Sequence, residues 1–174
     1  MGTRALDIRV RRDGEALGIL EVGDVARLTE AATKSTFYRD DLTDEQRAAN
    51  RRIVEISEAT AHAAAKSEHQ HFVAAIVDGT FAGFVVATKH DPGDHDLDWL
   101  MVHPDFHGTK VADTLMRAGM DWLGESESMW LNVIRHNTRA IRFYERYGFA
   151  VDPTAKTTHV VPHHVMRRQP AAKS

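Results

Sequence analysis

A chain of 174 residues, 43% hydrophobic and 27% charged, suits a single globular domain with a core of its own. Its formal net charge of −3 excludes broad nucleic-acid binding, which needs a concentrated excess of Lys and Arg, and the short cluster Arg9, Arg11 and Arg12 reads as a solvated patch beside a first strand. The sequence has no cysteine, which excludes disulfides, thiolate nucleophiles and Cys-based zinc sites and fits a reducing compartment.

The N-terminus carries no apolar signal core, and Leu6 stands where a myristoylation signal after Met1-Gly2 wants Ser or Thr. No apolar run approaches the ~18 residues needed to span a bilayer. The expectation is a cytoplasmic protein with neither a membrane nor a nucleic-acid partner.

Leu6 to Val10 alternates apolar and polar residues, the pattern of a half-buried strand. Glu21 to Lys34 carries Val22, Val25, Leu28 and Ala31/Ala32 at helical spacing, and Ser35 to Leu42, with Phe37 and Tyr38, reads as a loop. Thr43 and Gln46 form a capping box that opens a long Ala-rich helix towards Lys66. Phe72 to Val77 and Phe81 to Thr88 read as strands joined by the hairpin turn Asp78-Gly79. A further strand spans Asp96 to Val102 and stops at Pro104. Gly108 to Leu123 is helical, with Val111, Leu115, Ala118 and Trp122 on one face and Gly124 at its end. Met129 to Ile134 reads as a strand, Thr138 to Tyr147 as a helix, and Gly148-Phe149 starts the return. Thr158 to Met166 supplies a last strand that Pro162 confines to an edge or bulge, and about 168–174 reads as a frayed tail. No repeat or linker divides the chain, so residues 1–174 are expected to form one α/β domain with a mixed sheet.

Chemistry is expected where the Asp96–Val102 strand feeds through a short loop into the next helix. Such a junction aims unpaired N–H groups at one point and is a natural phosphate cradle. Gly108 permits close backbone approach there, and Ala112 keeps the first turn slim. On the later helix, Asn137, Ala140/Ile141 and Tyr144 share a face, presenting an amide, a small side chain and a phenol to one groove.

These residues resemble the acetyl-CoA-binding half of the GNAT superfamily of N-acetyltransferases. Val102-His103-Pro104 matches the family's strand exit, and His107 to Ala112 falls on its phosphate loop. Asn137, Ala140, Phe143, Tyr144, Gly148 and Phe149 match its C-terminal signature in full. The resemblance implies a central, mostly antiparallel twisted sheet of about seven strands flanked by about four helices. It implies acetyl-CoA as acyl donor, with the amides of His107, Gly108, Thr109, Lys110, Val111 and Ala112 on the pyrophosphate. Main-chain groups of Leu100, Met101 and Val102 would pair with the pantetheine arm, and Asn137 and Ala140 would line it. Tyr144 would protonate the departing thiolate, a transfer that needs positioning because a phenol is the weaker acid. Asp96, with Asp98 on the same strand face, falls where an acidic base for the amine often stands. Phe37 and Tyr38 lie where the family builds its acceptor pocket; the other reading is a plain hydrophobic anchor. The implied partner is a small-molecule or protein amine, and relatives often form homodimers.

Two positions depart from the pattern. His107 replaces Gln or Arg, and Lys110 replaces glycine, where a side chain either crowds the pyrophosphate or adds a charge contact. Crowding would favour a non-catalytic acyl-CoA-binding regulatory module over an enzyme. The 11 histidines raise a metal reading as well. The close pairs His69/His71 and His163/His164 lack the helical His-x-x-x-His spacing with a carboxylate, so no metal is expected. His95 or His103 remains a candidate proton shuttle.

Overall fold

The computed structural model describes residues 5–171. Met1-Gly2 and the end of the expected tail lie outside the described residues. Chain order is β1 (Ile8–Arg12), α1 (Asp13–Ile19), α2 (Asp24–Phe37), α3 (Asp44–Lys66), β2 (Gln70–Val77), β3 (Thr80–Thr88), β4 (His95–Asp96) and β5 (Leu100–Val102). A 3₁₀ turn (Pro104–Phe106), α4 (Val111–Leu123), β6 (Met129–Ile134), α5 (Thr138–Glu145), β7 (Ala150–Val151) and β8 (His163–Arg168) follow. One sheet runs in the order β1-β2-β3-β4-β6-β8-β7, with β5 also on β3. Of its strand pairs only β4 with β6 is parallel, so the sheet is mixed and mostly antiparallel.

Local chemistry accounts for most boundaries. Asp78 and Gly79 both take positive φ, 48° and 83°, the conformation of a tight hairpin turn, and Val77 pairs with Thr80 across it. Thr43 and Gln46 exchange both capping-box hydrogen bonds at the start of α3. Helix α2 has no cap of its own. Glu58 on α3 supplies one, its carboxylate accepting from Gly23 N at 2.9 Å and Ala26 N at 3.0 Å. Helix α1 was not expected, because its Gly-containing sequence is a poor helix former. Tertiary contacts hold it: Ala16 is fully buried, and Asp13 accepts from Phe72 N at 2.9 Å.

Two layers of core flank the sheet. Helices α4 and α5 bury Leu115, Met116 and Tyr144 against Val73, Val85, Leu97, Leu131 and Val133. On the other face α1, α2 and α3 cover Phe72, Ala74, Phe84 and Val86. Gly119 lets α4 sit close to the sheet, since a Cβ there would stand 2.5 Å from Leu97 Cδ1.

The strand expected over Asp96–Val102 is not continuous. Leu97, Leu100 and Val102 all face the α4 layer, whereas Trp99 and Met101 face the α1–α3 layer. Strict alternation would put Leu97 and Leu100 on opposite faces, so one extra residue is absorbed at Asp98-Trp99, the mark of a β-bulge. Before it, Leu97 N donates to Trp130 O of β6 at 3.0 Å; after it, Trp99 O accepts from Val86 N of β3 at 2.9 Å. The chain therefore leaves β6 at the bulge and stays with β3. A wedge opens between β5 and the far half of β6.

Other boundaries shift by a few residues. Helix α4 starts at Val111 rather than Gly108, which has φ +76°. Phe37 ends α2 instead of lying in a loop. Strand β8 starts just after Pro162 and includes Arg168, whose Nε donates to Tyr147 O at 3.1 Å, so the fraying expected from there does not begin at that residue.

Candidate active site

The wedge is lined by main chain. Trp99 O and His103 N bond to β3, and Met101 pairs with Phe84 between them. By the two-residue strand period, Leu100 and Val102 turn their N–H and C=O groups away from β3, into the wedge. Met101, expected to share that task, is committed to β3 and packs its side chain in the α1–α3 layer. Gly83 makes the arrangement possible. A Cβ there would lie 2.6 Å from Met101 O and 3.0 Å from Leu115 Cδ1.

At the mouth of the wedge, the loop 107–110 turns into α4. Thr109 organises it: its hydroxyl donates to Phe106 O at 2.5 Å and accepts from Val111 N at 3.3 Å. Among the described residues the amides of Gly108, Lys110, Ala112 and Asp113 donate to no backbone or side-chain acceptor. They form an anion-ready helix start. Lys110 sits at φ −81° with an exposed side chain, a conformation open to any residue, so the backbone sets no demand for glycine there. Arg139 Nη1 meets His107 Nδ1 at 2.8 Å, tying the start of α5 to this loop. Burial and the Arg139 charge hold His107 below its usual pKa, so the ring accepts that hydrogen bond in its neutral form.

Asn137 lies before α5, as its N-cap, with Oδ1 accepting from Ala140 N at 3.2 Å. Its role is thus partly structural, and the side-chain N–H₂ donates to no described residue. Tyr144 is buried to 8% exposure beside Phe143 and Phe149. Its hydroxyl makes no hydrogen bond to a described residue, and the only buried side-chain polar atom without a partner among them is Arg168 Nη1. The Tyr144 hydroxyl therefore opens onto accessible space. Burial, and next the charge of Asp98, push its pKa up and keep the phenol protonated.

The two aspartates have different surroundings. Asp98, at the bulge, accepts from Asn132 Nδ2 of β6 at 2.9 Å, bridging the apex of the wedge. Burial raises its pKa to about 6, with the neighbouring Asp96 charge adding to the rise. Asp96 accepts from His90 Nε2 at 2.6 Å. Burial raises its pKa, against the opposing pull of His90. Neither Asn132 nor His90 was singled out by the sequence. Asn132 shows only the ordinary alternation of a strand, and His90 reaches Asp96 through the turn 91–94.

Phe37 is 6% exposed and packs with Ile134 and Val161, with Tyr38 at the edge of that cluster. The contact fits the anchor reading for Phe37; Tyr38 borders an open hollow with Arg39, Asp40 and Asp41. His95 Nδ1 accepts from His90 N at 3.0 Å, and His103 Nδ1 accepts from Asp105 N at 3.1 Å, so each is engaged locally. His159 and His163 rings lie 4.1 Å apart, yet no three His, Asp or Glu side chains converge as a metal site among the described residues. No helix of the described residues is long and apolar enough to cross a membrane.

Comparisons with known proteins bear on the family and the fold. An uncharacterized N-acetyltransferase of Mycobacterium tuberculosis is 34% identical over 91 residues, a match that covers 50% of this chain and 56% of that protein. The fold is shared with the PaiA N-acetyltransferase of Thermoplasma acidophilum, solved in complex with coenzyme A, at TM-score 0.69 and 20% identity over 94% of this chain and 99% of that one. It is shared also with Ard1 of Thermoplasma volcanium, at TM-score 0.63 and 23% identity over 93% and 97% of the two chains. The acetyltransferase (GNAT) family pattern matches residues 31–149, well over half of the sequence, and the chain belongs to that family.

Proposed function

We propose that the chain is an acyl-CoA-dependent N-acyltransferase that moves acetyl, or another short acyl group, to a primary amine by direct attack. One observation carries the reading: the bulge at Asp98-Trp99 opens a wedge with free amides at its mouth and a carboxylate and a phenol near its apex. The coenzyme A bound to the similar PaiA protein supports the choice of donor.

Each residue then has a task. The amides of Gly108, Lys110 and Ala112 hold the pyrophosphate, with the Lys110 ammonium adding charge from outside. Main-chain groups of Leu100 and Val102 pair with the pantetheine arm as an added strand would, beside Asn137 and Ala140. A wedge-facing amide polarises the thioester carbonyl. Asp98 takes a proton from the incoming ammonium, directly or through water, and Tyr144 gives one to the leaving sulfur. For each turnover the amine loses two protons: one ends on the thiol, the other in solvent. Tyr38 lies towards the acceptor side. The expected location is the cytoplasm.

Thiol release with a panel of primary amines tests the proposal. Amine-dependent release supports it. Tight coenzyme A binding without release from any amine would favour an acyl-CoA-binding regulatory module instead.

A further inference from the structure

His90 belongs to none of the motifs above, yet it makes a 2.6 Å contact to Asp96. Its side chain is 45% exposed and that of Asp96 13%. The ring also stacks on Trp130, centroids 6.3 Å apart, so its orientation is fixed from β6 as well as from β4. We propose that His90 is a positioning residue for amine activation: through Asp96 it sets the charge that stands beside Asp98. This rests on the transferase reading given above.

His90 acts on a pair of adjacent carboxylates. Asp96 and Asp98 are close enough for the charge of one to bear on the other. Two neighbouring carboxylates resist joint ionisation, so an ionised Asp96 makes Asp98 a better proton acceptor. A positive His90 screens Asp96 and moderates that effect; a neutral donor in its place does not. Of the other charged and titratable groups around the pair, Tyr144 feels the Asp98 charge and stays protonated, and Asp94, His95 and Lys89 are engaged elsewhere. Asp94 is paired with Arg167 of β8 and accepts from Ser128, and its carbonyl takes the Trp130 indole N–H. The His95 ring is turned to the His90 amide, and Lys89 lies over Trp122 on the other side of the sheet.

The test is the pH dependence of kcat/KM for one amine at saturating acyl-CoA, in the wild type, H90Q, D96N and the double variant. The amine's own titration is common to all four and drops out of the comparison. H90Q should move the acidic limb to higher pH, and D96N to lower pH, each by about half a unit or more. The double variant should match D96N, since His90 acts only through Asp96. Coenzyme A affinity should stay within about twofold in all four, a check on folding as well, because the phosphate loop lies elsewhere. H90N gives a second reading should the longer amide disturb the Trp130 stack. An unmoved limb in H90Q and H90N, or a shift from H90Q that persists in the D96N background, overturns the proposal. Absence of thiol release from the wild type with intact coenzyme binding overturns the transferase reading itself and this proposal with it.

Discussion

Asp96 ends β4 and Asp98 lies two positions on, at the bulge, and their hydrogen bonds give them different work. Asp96 accepts from His90, which favours its ionised form; Asp98 accepts from the neutral Asn132, and burial raises it to about 6. Asp98 is thus the better proton acceptor near neutral pH, and its cost to the fold can be signed. Its folded pKa of about 6 lies above the ordinary carboxylate value of 3.8, so the native state binds the proton more tightly than the unfolded chain. Stability from this group is complete below the lower value and is lost as pH rises through the upper one. Asp98→Asn has no such loss. Urea unfolding should show the variant gaining on the wild type as pH rises from 3.8 to about 6, by roughly 1–3 kcal/mol. The same variant should release thiol far more slowly at neutral pH, on the order of 10²-fold. A gain in stability without loss of turnover would remove Asp98 from the mechanism.

Among the elements, the β4–bulge–β5 segment shapes the site, and it was only partly legible. The run Trp99-Leu100-Met101-Val102 is apolar throughout, so its phase is hidden, and only contacts to two different core layers reveal the extra residue at Asp98-Trp99. By contrast, Asn137 to Phe149 announced its helix and glycine turn because that geometry is local. The Glu58 cap was invisible in sequence, since cap and helix start lie 35 residues apart. Two substitutions separate packing from function. Glu58→Ala frees two amides far from the wedge and should cost about 0.5–2 kcal/mol in denaturant unfolding while leaving coenzyme affinity unchanged. Gly83→Ala drives a methyl into the Met101 carbonyl. It should cost about 1–3 kcal/mol and also weaken coenzyme binding, because β5 must shift. Equal coenzyme affinity in Gly83→Ala and wild type would mean that β5 does not hold the ligand.

For the whole molecule, the two layers of core divide the labour. Helices α4 and α5 press one face of the sheet, with the loop at Gly108 leading into α4 and Tyr144 carried on α5; α1, α2 and α3 cover the other face around β2 and β3. A ligand bridging loop and wedge should tie these parts together. Coenzyme A at about 100 times its Kd should stabilise the protein by about 2.7 kcal/mol, read as a rise in Tm of several degrees. The most direct test of the assigned chemistry compares amine-dependent thiol release by Tyr144→Phe and wild type, with coenzyme A Kd measured on both. The phenol faces accessible space without a protein partner, so its removal should lower kcat on the order of 10²-fold and leave Kd within about twofold. Undiminished kcat, or equal losses in kcat and affinity, would contradict a proton-donating role for Tyr144 in this wedge.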